Sequence, residues 1–139
     1  MKGAICGIVL AISVVLLLPI AAEGPRTGVV SVTVTSRNAG ATPFPIAARV
    51  GDEFKITLDS NQTTGYQWQL AESPDVKIVQ FVLNAYNEPS KPIPGRGGTE
   101  TWTFRAAGKG KTAIAFKYVR PWEKNVAPIQ TRKFEVEVR

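Results

Sequence analysis

Histidine is absent from this 139-residue chain, and cysteine occurs once, as Cys6. The first absence removes the commonest general base, the commonest transition-metal ligand and the usual partner of a nucleophilic serine. The second excludes an intramolecular disulfide. Because Cys6 falls within an apolar leader, it also leaves the rest of the chain without a thiolate nucleophile or a thiolate metal site. Any enzyme built from this chain would have to run on carboxylates, lysine or tyrosine. No cofactor and no metal are expected.

Three further shortages narrow the class. No segment keeps a helical period of apolar residues. Charge is not clustered: 17 Lys+Arg face 11 Asp+Glu, a net +6, and the tightest groups are only Lys109/Lys111 and Arg132/Lys133. Such scatter reads as solubility with mild steering toward acidic partners, and no nucleic-acid partner is expected. The one long apolar run is at the start, where Met1-Lys2 precedes residues 5–18 and Pro19-Ile20-Ala21-Ala22 follows.

That start has the charged, apolar and small-residue parts of a secretory signal peptide, cut after Ala22. Its apolar run falls short of the roughly 20 residues of a spanning helix. The expected organisation is a leader over 1–22 and one domain over 23–139. The protein would be exported to a periplasm or secreted, with a bacterial source favoured. It would be a monomer without membrane contact after cleavage. With no disulfide, a domain of this length must hold together by its core.

What the mature chain does contain is alternation. Val30, Val32 and Val34 alternate with polar residues, as do Phe54, Ile56 and Leu58, then Tyr66, Trp68 and Leu70. The pattern resumes in Trp102 and Phe104, in Ile114, Phe116 and Tyr118, and in Phe134, Val136 and Val138. Period two predicts strands with one buried face, and puts Trp68 and Trp102 in the core. Residues 76–83 read as a strand with mixed faces, which suggests either a strand covered on both sides for part of its length or one carrying a bulge. Ala107-Gly108-Lys109-Gly110 reads as a hairpin turn. The prediction is an all-β fold, an antiparallel β-sandwich of seven to eight strands.

Three loops interrupt this framework. Asn61-Gln62-Thr63-Thr64-Gly65 is a polar tip with two hydroxyls and no acid, base or thiol. Residues 84–98 form the longest irregular segment, with Pro89, Pro92 and Pro94 and with Gly95, Gly97 and Gly98. Loops of that length inside compact domains tend to be functional. Arg120-Pro121-Trp122 opens the third. Because they are alternate connections between successive strands, all three are expected at one end of the sandwich, side by side.

In that order the loops resemble the chagasin family of cysteine peptidase inhibitors, whose members carry Asn-Pro-Thr-Thr-Gly, Gly-x-Gly-Gly and Arg-Pro-Trp loops. Here the matching residues are Asn61 to Gly65 with Tyr66-Gln67-Trp68, Gly95-Arg96-Gly97-Gly98 with Thr101-Trp102-Thr103-Phe104, and Arg120-Pro121-Trp122. The resemblance spans essentially all of 23–139. It implies an immunoglobulin-like sandwich that blocks papain-like cysteine peptidases reversibly and without covalent chemistry. By that analogy Thr63 and Thr64 enter the catalytic cleft, and the 95–98 loop lies along its substrate side. Trp122 packs on aromatic surface opposite, with Arg120 steering or hydrogen bonding nearby.

Residue chemistry points the same way. Trp and Arg are enriched as interface anchors, Pro121 fixes the backbone before Trp122, and the glycines at 95, 97 and 98 allow positive φ and close approach by a partner's backbone. Gln62 departs from the family's Pro and gives up some preorganisation. It also makes Asn61-Gln62-Thr63 an N-glycosylation sequon, and a glycan there would keep the loop out of a narrow cleft. One alternative is an adhesion or ligand-binding module of the same fold. Another is a glycosidase using Asp52/Glu53, Asp59 and Glu123, although Asp52/Glu53 fall on a turn expected at the far end.

Overall fold

The computed structural model describes residues 29–34 and 43–139, and for residues 30–34 it is the backbone pairing that is described. The leader expected over 1–22, the start of the domain at 23–27 and the turn at 38–40 lie outside the described residues. Among the described residues, period-two alternation becomes eight strands: β1 (Val29–Val34), β2 (Phe44–Ala48), β3 (Glu53–Ser60), β4 (Gln67–Glu72), β5 (Val79–Asn87), β6 (Gly98–Ala106), β7 (Gly110–Val119) and β8 (Gln130–Val138). They form two four-stranded sheets, ordered β1-β3-β6-β5 and β2-β8-β7-β4.

The alternating apolar residues explain why the sheets close on each other. In β3, Phe54, Ile56 and Leu58 are buried, whereas Lys55 and Asp59 on the opposite face are exposed and Thr57 is half-buried. Phe104 packs on Phe54 of its own sheet at 5.5 Å between ring centroids and on Phe116 of the other sheet at 6.4 Å. Phe116 in turn meets Trp102 at 5.1 Å and Phe134 at 5.8 Å. These four phenylalanines are fully buried, and burial of each is worth about 1.5–3 kcal/mol. Trp68 and Trp102 are core residues, as their phase predicts.

The all-β, immunoglobulin-like sandwich is antiparallel along β3·β6, β5·β6, β4·β7 and β7·β8. The two leading strands differ. β1 runs parallel to β3, in register with Phe54, Ile56 and Leu58 through Val30, Val32 and Val34, and β2 runs parallel to β8. Each is an outer strand of its sheet. Neither is joined to its partner by a tight hairpin, so nothing imposes the antiparallel direction.

Three local expectations need correction. The strand read over 76–83 begins only at Val79, because residues 76–78 form a turn. That turn is held by the Asp75 side chain, which accepts from Lys77 N, and by the Asp75 carbonyl, which accepts from Ile78 N and Val79 N. The mixed faces do resolve into a bulge, between Phe81 and Leu83. The irregular segment is shorter than 84–98, because β5 continues to Asn87 and pairs with β6 as far as Thr99. The turn at 107–109 is not a hairpin: β6 is already flanked by β3 and β5, so the chain crosses to β7 in the opposite sheet.

The β3–β4, β5–β6 and β7–β8 connections emerge at one end. Asp52 lies at the other, where its carbonyl accepts from Ala106 N and its carboxyl from Arg49 N. Since Phe104 touches both sheets, Phe104→Ala is expected to cost about 3–5 kcal/mol. Urea unfolding of the two proteins measures this, and a loss under 1 kcal/mol would show that the core does not converge there.

Candidate functional site

The β3–β4 connection crosses from one sheet to the other, so its backbone has no strand to pair with and side chains take over. Asn61, extended at φ −124° and ψ 90°, caps a single 3-10 turn over Gln62–Thr64. Its Oδ1 accepts from Thr63 N at 3.2 Å and from Thr63 Oγ1 at 2.5 Å. Its carbonyl accepts from Thr64 Oγ1 at 2.6 Å and Thr64 N at 3.2 Å. Gly65 closes the turn in the left-handed region at φ 78°, where a side chain would be strained. Gln62, Thr63 and Thr64 stand exposed at the tip.

The root of this loop is bound to both sheets. Asn61 N donates to the Tyr118 hydroxyl at 2.7 Å, and Trp68 Nε1 donates to the Asp59 carbonyl at 2.9 Å. Beneath them the buried Glu100 Oε1 accepts from Ser60 Oγ at 2.6 Å and from Trp68 N at 3.2 Å. Sequence reasoning did not single out Glu100, Ser60 or Tyr86, and read Tyr118 only as part of a strand's alternating face. For Glu100 the signal was present: it sits in phase with Trp102 and Phe104, a polar residue on the buried face of β6.

The second loop leans on the first. The Asn61 carboxamide donates through Nδ2 to the Gly95 carbonyl at 3.3 Å. Gly97 lies so close to Ser60 and Asn61 that a Cβ would overlap the Ser60 carbonyl, and Gly98 lies in the same way against Asn87 and Tyr86. The expectation of positive φ holds for Gly95 alone, at 79°. Gly97 and Gly98 must be small because their own chain approaches them. Tyr86 OH anchors this loop by accepting from Gly98 N at 3.0 Å, and Arg96 is exposed.

The third loop braces the first from the other side. Arg120 Nε donates to the Thr64 carbonyl at 3.2 Å, its Nη1 pairs with Glu123 Oε1 at 3.1 Å, and its guanidinium lies 4.4 Å from the Tyr66 ring centroid. Arg120 is therefore turned inward as a brace, where a steering or partner-bonding group was expected. Trp122 stands 65% exposed after the exposed Pro121, and the tip of its ring rests on Gly65. Val126 and Ile129 on the same loop, and Ile93 on the second, are exposed apolar residues that sequence reasoning passed over.

Thus the predicted residues Asn61, Gln62, Thr63, Thr64, Gly65, Gly95, Arg96, Gly97, Arg120, Pro121 and Trp122 lie on three adjoining loops, and Gly98 is the first residue of β6 beside them. The surface carries threonine hydroxyls, the exposed Arg96, and Arg120 already paired with Glu123. Among the acids of the glycosidase alternative, Asp52 is at the far end and Glu123 is paired to Arg120.

The model of the chagasin family peptidase inhibitors (I42) matches residues 47–138, most of the chain. The chain belongs to the chagasin family. Its relatives include chagasin of Trypanosoma cruzi, 36% identical over 93 residues that cover 64% of this chain and 81% of the relative. Amoebiasin-2 of Entamoeba histolytica is 30% identical over 89 residues, covering 63% and 72%. The fold matches the crystal structure of the cysteine protease inhibitor EhICP2 from Entamoeba histolytica with a TM-score of 0.67 and 22% identity, over 84% of this chain and all of that one. As a chagasin-family member the protein is a peptidase inhibitor and not an enzyme, and the adhesion alternative is not favoured.

Because Gly65 is both left-handed and covered by Trp122, Gly65→Ala strains the turn and displaces the indole together. The expected result is a stability loss of about 1–2 kcal/mol and a changed tryptophan emission in the native state. Unaltered emission at unaltered stability would mean that the contact between the two loops does not persist in solution.

Proposed function

We propose that the protein inhibits papain-like cysteine peptidases reversibly by seating the Thr63-Thr64 tip in the active-site cleft, with the 95–98 loop and the Trp122 loop on either side. The observation that carries this reading is the interlock of the three loops: a projecting polar tip, braced by Asn61 and Arg120, between two shoulders that expose Ile93 on one side and Trp122 on the other. A recess of ≈ 590 Å³ beside the tip, lined among others by Gln62, Thr63, Tyr86 and Ile93, offers a place for a partner's side chain. Family membership supplies the target class. The mature inhibitor is a monomer of residues 23–139, exported to a periplasm or secreted from a bacterial cell after removal of 1–22. Export without N-glycosylation suits the loop, since Asn61 Nδ2, where a glycan would attach, already holds the Gly95 carbonyl.

Titration of papain with the mature protein tests the reading. Stoichiometric, reversible inhibition is expected, and Trp122→Ala and Thr64→Ala should each raise the inhibition constant by about 10-fold or more, as central interface anchors do. If either variant, correctly folded, inhibits as well as the parent, the three-loop assignment fails.

Gln62 gives a second test. It opens the 3-10 turn after an extended Asn61, and the turn's own bonds use the N–H groups of Thr63, Thr64 and Gly65, not that of Gln62. Proline suits such a position. Gln62→Pro is expected to stabilise the bound geometry by about 0.4–1 kcal/mol, a roughly 2- to 5-fold lower inhibition constant. An unchanged or higher constant would show that the turn is already rigid, or that Gln62 itself makes contact.

A further inference from the structure

Both hydroxyl protons at the tip are already committed. Thr63 Oγ1 donates to Asn61 Oδ1, and Thr64 Oγ1 donates to the Asn61 carbonyl. A hydroxyl has one proton and two lone pairs, so each of these exposed groups retains only acceptor capacity toward a partner. The directions are fixed by chemistry. A carbonyl can only accept, and the Asn61 carboxamide is oriented at both ends: Oδ1 also accepts from Thr63 N while Nδ2 donates to Gly95 O. Turning the carboxamide over would oppose donor to donor at one end and acceptor to acceptor at the other.

The backbone N–H groups that follow Gln62 are used in the same way. The N–H groups of Thr63, Thr64 and Gly65 point into the turn, at Asn61 Oδ1, Asn61 O and Gln62 O. The Thr64 carbonyl takes Arg120 Nε. What the two threonine side chains offer outward is therefore methyl surface and oxygen lone pairs.

We infer that the Thr63-Thr64 tip is an acceptor-only wedge, which fits a cleft whose centre offers hydrogen-bond donors and which gives no hydroxyl proton to an anionic nucleophile. This rests on the proposed inhibitor reading and specifies the chemistry the tip recognises. A papain-like centre holds a thiolate beside a protonated imidazole, with N–H donors arranged for an oxyanion. The threonine oxygens match the imidazolium and the oxyanion donors, and the methyl groups face the thiolate. Asn61 and Arg120 act on the partner only through the tip, as positioning residues.

Threonine has two near-isosteres that separate its parts. Serine keeps the oxygen, its lone pairs and its internal bond but drops the methyl; valine keeps the shape and drops the oxygen. Inhibition constants against papain are measured for Thr63→Ser, Thr63→Val, Thr64→Ser and Thr64→Val, and for both valine variants combined with Gln62→Pro. At one or both positions valine is expected to weaken inhibition at least 5-fold more than serine, and the deficit should survive in the Gln62→Pro background. The inference is overturned if serine costs as much as valine at both positions, if valine costs nothing at either, or if the proline restores the valine variants by stiffening a slackened turn. A parent protein that fails to inhibit papain at all would instead overturn the inhibitor reading, and the inference with it.

Discussion

The Glu100 carboxyl, buried between the sheets, is the fixed point of the binding end. It accepts from Ser60 at the last residue of β3 and from Trp68 near the start of β4, the two stems between which the loop hangs. Those stems belong to different sheets, so no ladder of backbone bonds sets their separation. Side chains must do it, and a buried polar group left without a partner is costly. Trp68 Nε1 on the Asp59 carbonyl and the Tyr118 hydroxyl on Asn61 N complete the stitch. Once the stems are set, the capped 3-10 turn follows from Asn61 and Gly65 alone.

From that point the loops stiffen one another. Asn61 holds the 95–98 loop through Gly95, Arg120 holds the tip through Thr64, and the Trp122 ring lies on Gly65. None of these contacts is strong by itself, since exposed hydrogen bonds and ion pairs contribute about 1 kcal/mol or less. Their effect is on the entropy of binding. A peptidase inhibitor acts by affinity, and ordering loops at an interface costs roughly 0.5–1.5 kcal/mol for each immobilised side chain. Loops ordered before the encounter avoid much of that cost.

Much of this was legible in the sequence because it follows from periods of two and from punctuation. Alternation in β3, β7 and β8 gave the buried faces, Gly and Pro marked the loops, and counting alternate connections brought the loops to one end. What sequence hid was what depends on partners far along the chain. Arg120 looks like an exposed anchor until Thr64, Tyr66 and Glu123 are found around it. Gly97 looks permissive, yet it is a steric necessity set by Ser60, 37 positions earlier in the chain. The parallel pairing of β1 and β2 leaves no local mark, because strand direction at a sheet edge is decided by the sheet and not by the strand.

The same geometry explains how a peptidase inhibitor can offer a loop to a cleft built for peptides. An extended substrate presents its backbone N–H and C=O groups for pairing, in the manner of an added strand. At residues 62–65 the backbone is coiled instead: successive N–H groups turn back on Asn61 and Gln62, and Gly65 reverses the chain in the left-handed region. To adopt an extended form the tip would have to break its cap, release Arg120 and lift Trp122 off Gly65, all at once. In the proposed complex the loops that would lend affinity are therefore the same ones that would keep the tip from being read as substrate.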